Sequence, residues 1–381
     1  MGFCGALYSF ITYPFMSQRI HSIDAVRALA LFGILLTHAS FRFNYLPAPG
    51  MDTVSHVYAW LAQHIFACKF FMVFAFLFGL SFFLQMDHAV ERGIDFRGRF
   101  CWRLVLLFFF GVFHSFFYMG DILTIFAILG FIPVVLWQVP TRTLAIICIL
   151  CLLQPVVLCT ELAGTSHFLQ ETGDKVVAWF APQERYLAMQ DSVWQNGVWN
   201  ICCGHIHSLV YTFISSGRIF ILIGMFMLGM LAGRTRIFEK NPQRLLYIGS
   251  AGVVVYGIGL LGQQFLPLWM YWWEQIGFVL MFVPWAAWLL ARPALSTLIS
   301  PLTAIGRTTL TCYITQNIIM GFLLCAYGFN MNVCWTTTQV MNAAIILYIA
   351  QVLFSMAWLK YHRYGPFEAV WRRLTRLGMK P

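Results

Sequence analysis

The sequence predicts an all-α, polytopic integral membrane protein of about ten transmembrane helices, with both termini on the cytoplasmic side. Three observations carry that prediction. Of the 381 residues, 60% are hydrophobic and only 10% charged, whereas soluble domains carry about 25% charged residues. Mean hydropathy is strongly positive at +0.75. Apolar stretches also recur at lengths of roughly 18 to 26 residues, which suits helices crossing a hydrocarbon layer about 30 Å thick. The short alternating strands of a closed β-barrel are not seen in the sequence.

The apolar segments fall at Ala25–Phe41, Trp60–Met86, Cys101–Tyr118, Asp121–Trp137 and Leu144–Ala163, then at Ser208–Gly233, Leu245–Gln264, Trp269–Leu290, Thr303–Tyr327 and Val340–Leu359. Placing the N-terminus inside puts most basic residues on one side, among them Arg19, Arg27, Arg92, Arg97, Arg99, Arg103, Arg142, Arg234, Arg236, Lys240, Arg244, Arg292, Arg307 and the tail from Lys360 to Lys380. Only Arg42, Lys175, Arg185 and Arg218 fall outside, and Lys69 lies within a helix. That asymmetry obeys the positive-inside rule and sets the orientation. It also accounts for the net charge of +10 without a nucleic-acid partner; the expected surroundings are the lipid bilayer.

The organisation read from this pattern is an N-terminal extension at 1–18, a first five-helix half at 19–163, an outer loop at 164–207, a second half at 208–359 and a basic cytoplasmic tail at 360–381. Residues Met1 to Met16 lack a basic n-region, so an interfacial extension is preferred to a cleaved signal. The long outer connection reads either as a lid or acceptor-binding surface or as a spacer. Internal repeats, the mark of many transporters, are not evident.

Most cysteines lie in apolar runs, including the pair Cys148 and Cys151, and read as small hydrophobes. Cys202, Cys203, His205 and His207 cluster, but their spacing fits no standard zinc pattern, and no metal is expected.

The first apolar segment carries the most chemistry. Ser22 is a candidate N-cap and Asp24 falls in the first turn, where the helix dipole favours an anion. Arg27 and His38 are eleven residues apart, which is three turns plus about 20°, so they share one face some 16 Å apart along the axis. A histidine at that depth is costly unless it faces a cavity or a partner. The alternative is a histidine hydrogen-bonded between helices for packing. Other polar residues in apolar segments are His64, Lys69, His114, Asp121, Gln316 and Asn317. Topology gathers His38, His64, Lys69, His114 and Asp121 into one polar outer cavity, with Lys69 and Asp121 as a possible ion pair. Gly79, Gly111, Gly224, Gly229 and Gly233 suit close helix packing.

The Arg27-x10-His38 spacing after Ile23-Asp24 resembles the arginine-and-histidine motif of OafA/NodX-type membrane acyltransferases. The chain as a whole is similar to the YeiB-like family of membrane proteins. That likeness rests on IDAVRALALFGILL at Ile23–Leu36, KFFMVFAFLFGLSF at Lys69–Phe82, FHSFFYMGDIL at Phe113–Leu123, GRTTLTCYITQNI at Gly306–Ile318 and YGPFEAVWRRLT at Tyr364–Thr375. The family pattern more often ends its first motif in Asn, so His38 departs toward the acyltransferase form. The resemblance implies a superfamily shared with those enzymes and with heparan-α-glucosaminide N-acetyltransferases. It further implies an acyl-CoA donor, such as acetyl-CoA, reached from the cytoplasm, a small-molecule or glycan acceptor on the far side, and residence in a bacterial inner (plasma) membrane.

On that reading Arg27, Asp24, Arg99, Arg103 and Arg307 form the candidate cofactor-binding set, with Arg97 nearby. An extended pantetheine arm matches the Arg27 to His38 spacing. His38 is the candidate general base. His114 and Asp121 orient it or hold the acceptor, and Lys69 or Gln316 stabilise the oxyanion. Two other classes stay open: a small-solute transporter or channel using the same polar cavity, and a non-catalytic membrane scaffold whose outer loop is the partner surface.

Overall fold

The computed structural model describes residues 21–42, 51–180, 192–210, 216–240 and 242–377. The N-terminal extension, Arg19 and Lys380 lie outside them. Every regular element among the described residues is helical. In chain order the helices are α1 (His21–Arg42), α2 (Thr53–Leu61), α3 (Lys69–Val90), α4 (Arg97–Ser115), α5 (Leu123–Leu129), α6 (Phe131–Val135), α7 (Thr141–Leu153), α8 (Pro155–Leu162) and α9 (Ser166–Phe180). They continue with α10 (Val193–Trp199), α11 (His205–Val210), α12 (Arg218–Arg234), α13 (Ile237–Lys240), α14 (Pro242–Gly262), α15 (Pro267–Leu290), α16 (Ser296–Arg307), α17 (Thr309–Leu324), α18 (Thr337–Tyr361) and α19 (Pro366–Arg376).

Among the described residues, seven helical stretches are long and apolar enough to cross a membrane: His21–Ser40, Thr53–Val90, Arg97–Ser115, Thr141–Leu162, Pro242–Gly262, Pro267–Leu290 and Thr337–Tyr361. The other three apolar segments of the sequence fall on shorter helices, at Leu123–Gln138 and Thr309–Leu324 and at α12.

Several helices break inside their apolar segments, each for a local reason. Pro155 follows Gln154, which takes a left-handed conformation (φ 48°). Proline supplies no N–H and disfavours the α region before it, so α7 and α8 meet there as separate helices. The second segment is interrupted at Cys68, also left-handed (φ 59°), after a π-helical turn at Ala62–Phe66. The ninth divides at Thr308, between α16 and α17.

Helix α1 forms the centre of the bundle, packed against α3, α15, α16, α17 and α18. Ala25, Val26, Ala28, Ala30, Leu31 and Leu35 are fully buried, and the small residues among them let its neighbours approach. Glycine does the same between α3 and α12: a methyl at Gly79 would strike the Phe226 carbonyl, and one at Gly229 the Phe76 carbonyl. With lipid outside as apolar as the core, close backbone approach of this kind holds helices together.

Two sequence expectations need correction. Helix α1 already includes His21, so Ser22 lies inside it and is not the N-cap; Asp24 remains in the first turn. The span 164–207 is not an open loop, because α9, α10 and the start of α11 fall within it. Asn196 of α10 donates to the Phe116 carbonyl at 2.9 Å, which docks this region beside the end of α4. Residues 181–191, with Glu184 and Arg185, lie outside the described residues.

Candidate functional site

Two cavities lie along α1. The first, of about 360 Å³, is lined by Thr37 and His38 of α1, Phe66, Cys68, Tyr118, Asp121, Ile122 and Arg218, among others. The second, of about 300 Å³, is lined by Arg27, Ser81, Gln85, Arg103, Arg307, Tyr313, Glu368, Trp371 and Arg372, and again by Ile122. The predicted sharing of α1 between an arginine end and a histidine end is therefore realised as two separate chambers.

In the first chamber His38 Nδ1 lies 3.0 Å from Asn317 Oδ1. The Asn317 Nδ2 group donates to the Tyr313 carbonyl at 3.1 Å, so the amide oxygen is what faces the imidazole. His38 therefore donates from Nδ1, leaving Nε2 as the basic nitrogen. Its ring packs 4.1 Å from that of Tyr118 and 5.9 Å from that of Tyr313. His38 is 8% exposed.

Asp121 is paired with His114: its Oδ1 lies 2.7 Å from His114 Nδ1, and Oδ2 accepts from Thr124 N and Thr124 Oγ1, both at 2.8 Å. Gly111 makes this possible, since a methyl there would collide with the Asp121 carboxylate and Thr124. Both side chains of the pair are fully buried. His114 does not line the chamber, although Asp121 does.

The remaining predicted outer residues are placed elsewhere. Lys69 does not pair with Asp121. It forms a buried ion pair with Glu274 of α15 at 2.7 Å and donates to the His64 carbonyl at 2.6 Å. The left-handed turn at Cys68 starts α3 so that Lys69 points to α15, while Cys68 itself lines the chamber. His64 is exposed and stacks on Trp60. Gln316 is fully buried, lines neither chamber, and its amide has no hydrogen-bond partner among the described residues. The expected oxyanion donors Lys69 and Gln316 are thus both away from His38. The sequence reading gave no role to Asn317, Tyr118, Tyr313 or Glu274. For Asn317 the signal was present, as a second polar residue beside Gln316 on an apolar helix.

The second chamber is basic. Arg27 forms an ion pair with Asp24 and donates to Ser81 at 2.5 Å, so Asp24 positions the guanidinium at the chamber wall. Arg103 donates to Gln85 and lies 4.3 Å over the Trp371 ring. Arg307 enters because Gly306 sits directly on the Asp24 backbone, where a methyl would clash. Arg99 does not line the chamber and lies near Phe96, and Arg97 pairs with Asp95. That arginine holds the Asp95 carboxyl down at about 2. Helix α19 closes one side, with Glu368 accepting from Thr311 N at 3.0 Å and from the Thr311 hydroxyl. Burial pushes the Glu368 carboxyl up, against the lowering effect of those bonds. Several guanidinium groups around one cavity can receive phosphate oxygens in bidentate fashion.

Fold and site together define a polytopic helical membrane protein with a basic chamber and a histidine chamber on one central helix. Residues 232–378 match the family described as "Protein of unknown function (DUF418)". The chain is also 27% identical to "Uncharacterized protein YxaH" of Bacillus subtilis (strain 168), covering 96% of each chain. It is 27% identical to "Uncharacterized protein YeiB" of Escherichia coli (strain K12), over 96% of this chain and 98% of that protein. A 39.9 kDa protein encoded in an amylase 3' region of Bacillus acidopullulyticus is 24% identical over 94% of each. These similarities run along nearly the whole length of the chain.

Proposed function

We propose that this protein is a membrane acyltransferase that moves an acyl group, acetyl in the first instance, from cytoplasmic acyl-CoA to a hydroxyl or amine acceptor on the outer face. A glycan is the acceptor class that the resemblance to OafA/NodX-type and heparan-α-glucosaminide N-acetyltransferases suggests. In this reading the chain crosses a bacterial inner membrane about ten times, with both termini inside, and the basic chamber opens to the cytoplasm.

The observation that carries the proposal is the division of labour along α1. Arg27 faces a chamber shared with Arg103, Arg307 and Arg372, and His38 faces a second one, with Ile122 common to both. The basic chamber suits the phosphates of a nucleotide donor. In the histidine chamber, His38 Nε2 takes the acceptor proton as the thioester carbonyl is attacked, and returns it to the departing thiolate.

The test uses purified protein in detergent with acetyl-CoA. CoA binding by calorimetry is expected for the wild type, weakened on the order of tenfold or more in Arg27→Ala. Thiol release is expected to fall about 100-fold in His38→Ala while CoA affinity stays within twofold. No CoA binding at millimolar concentration would sink the proposal. A transporter reading draws on the same two chambers meeting at Ile122, and it predicts solute flux in proteoliposomes without CoA.

A further inference from the structure

With Lys69 held by Glu274 and Gln316 outside both chambers, neither donor expected from the sequence is placed for the carbonyl oxygen that turns anionic during attack. The wall of the basic chamber supplies one. Tyr313 of α17 lines the basic chamber and is 3% exposed. Its ring lies 5.9 Å from the His38 ring and 4.6 Å from the His114 ring, centroid to centroid. Its phenol oxygen accepts from the backbone N–H of Ile122 at 3.4 Å, and Ile122 is the residue common to both chambers. The side chain thus lines the basic chamber and brings its ring close to that of His38.

A phenol that accepts a hydrogen bond from a fixed backbone N–H becomes a better donor through its own O–H, because such bonds polarise one another in a medium of low dielectric. The position is set from two directions: the Ile122 amide holds the hydroxyl, and Asn317 Nδ2 binds the Tyr313 carbonyl while Asn317 Oδ1 holds His38. One short stretch of α17 therefore fixes the phenol and the imidazole relative to each other.

We infer that Tyr313 is a catalytic residue of the acyl transfer, its hydroxyl donating a hydrogen bond to the thioester carbonyl oxygen as that oxygen becomes an oxyanion. The inference rests on the acyltransferase reading. In the step, the acceptor X–H loses its proton to His38 Nε2 as X bonds to the carbonyl carbon. The C=O electron pair moves to oxygen, where the Tyr313 O–H stabilises it. Collapse re-forms C=O and breaks C–S, and His38 returns the proton to the departing thiolate. Tyr313 keeps its own proton throughout, and the products are acyl-X and free CoA.

The experiment compares full-length wild type, Tyr313→Phe and protein carrying 3-fluorotyrosine at 313, all in detergent with acetyl-CoA, reading thiol release and CoA binding. Loss of a single oxyanion donor lowers turnover by about 100-fold or more. That fall is expected for Tyr313→Phe at saturating acetyl-CoA, with KM and CoA affinity within twofold and unchanged elution on size exclusion. The fluorinated phenol, similar in shape and a stronger donor, is expected to retain turnover. Tyr313→Phe within threefold of wild type overturns the inference and leaves the acyltransferase reading intact. Equal loss in the phenylalanine and fluorotyrosine proteins assigns the ring a packing role and also overturns it. A wild type that neither binds CoA nor releases thiol overturns both.

Discussion

His38 and His114 occupy one cluster of four rings, each packed against Tyr118 and Tyr313, yet their partners differ in kind. His114 is backed by the Asp121 carboxylate and is fully buried behind the chamber wall. His38 is backed by the neutral Asn317 amide and lines the chamber. A carboxylate within an apolar bundle is costly unless its oxygens are satisfied, and Asp121 meets that demand through His114 and two bonds from Thr124. The carboxylate pair locks the end of α4 to the start of α5. The amide fixes a tautomer without bringing a charge, and leaves the histidine facing the cavity. One histidine is thus held by a carboxylate behind the wall, and the other by a neutral amide at the cavity.

The largest effect that tests this contrast is on stability. Asp121→Ala leaves His114 and Thr124 without their shared acceptor, and is expected to cost about 3 to 5 kcal/mol, read as a lowered midpoint in detergent denaturation. If it leaves the midpoint unchanged, the pair is not what holds α4 to α5.

Next in size, Asn317→Ala is expected to cost about 1 kcal/mol of stability and to lower thiol release from acetyl-CoA roughly tenfold, since His38 loses its tautomer restraint. A stability loss as great as that of Asp121→Ala, with turnover kept, would reverse the assignment of the two sites.

The smallest effect concerns the basic chamber. Burial raises the Glu368 carboxyl above its ordinary value, so the neutral form is favoured in the docked state of α19. The contribution of this group to docking is complete below the usual glutamate pKa of about 4.3 and is lost as pH rises through the raised value. Hydrogen exchange across 366–376, corrected for intrinsic rates, should show weaker protection at pH 8 than at pH 5. Glu368→Gln should flatten that dependence; a pH response that survives the substitution belongs to another group.

Much of this arrangement was legible along the chain, and what was not shares a cause. Among the described residues the apolar segments are largely helical because length and hydropathy are properties of a local stretch. Arg27 and His38 reach the two ends of α1 because helical rise alone separates residues eleven apart. His114 and Asp121 meet because the intervening turn is short and Gly111 leaves room for the carboxylate. Gln316 and Asn317 are a different case. They are adjacent on a helix apolar nearly all round, and only the packing of α17 against α1 decides that Asn317 faces His38.

The sequence by itself therefore determined the helical membrane class, the segments that build it and the polarity of its first helix, all set by local composition and periodicity. Tertiary structure alone decided that Lys69 pairs with Glu274, that Ile122 lines both the basic chamber and the histidine chamber, and that Asn317 is the partner of His38. The physical reason is rotational. A helix surrounded by lipid and other apolar helices has no wet face to fix its azimuth, so its rotation is set by close contacts such as those at Gly79, Gly229 and Gly306 with distant parts of the chain.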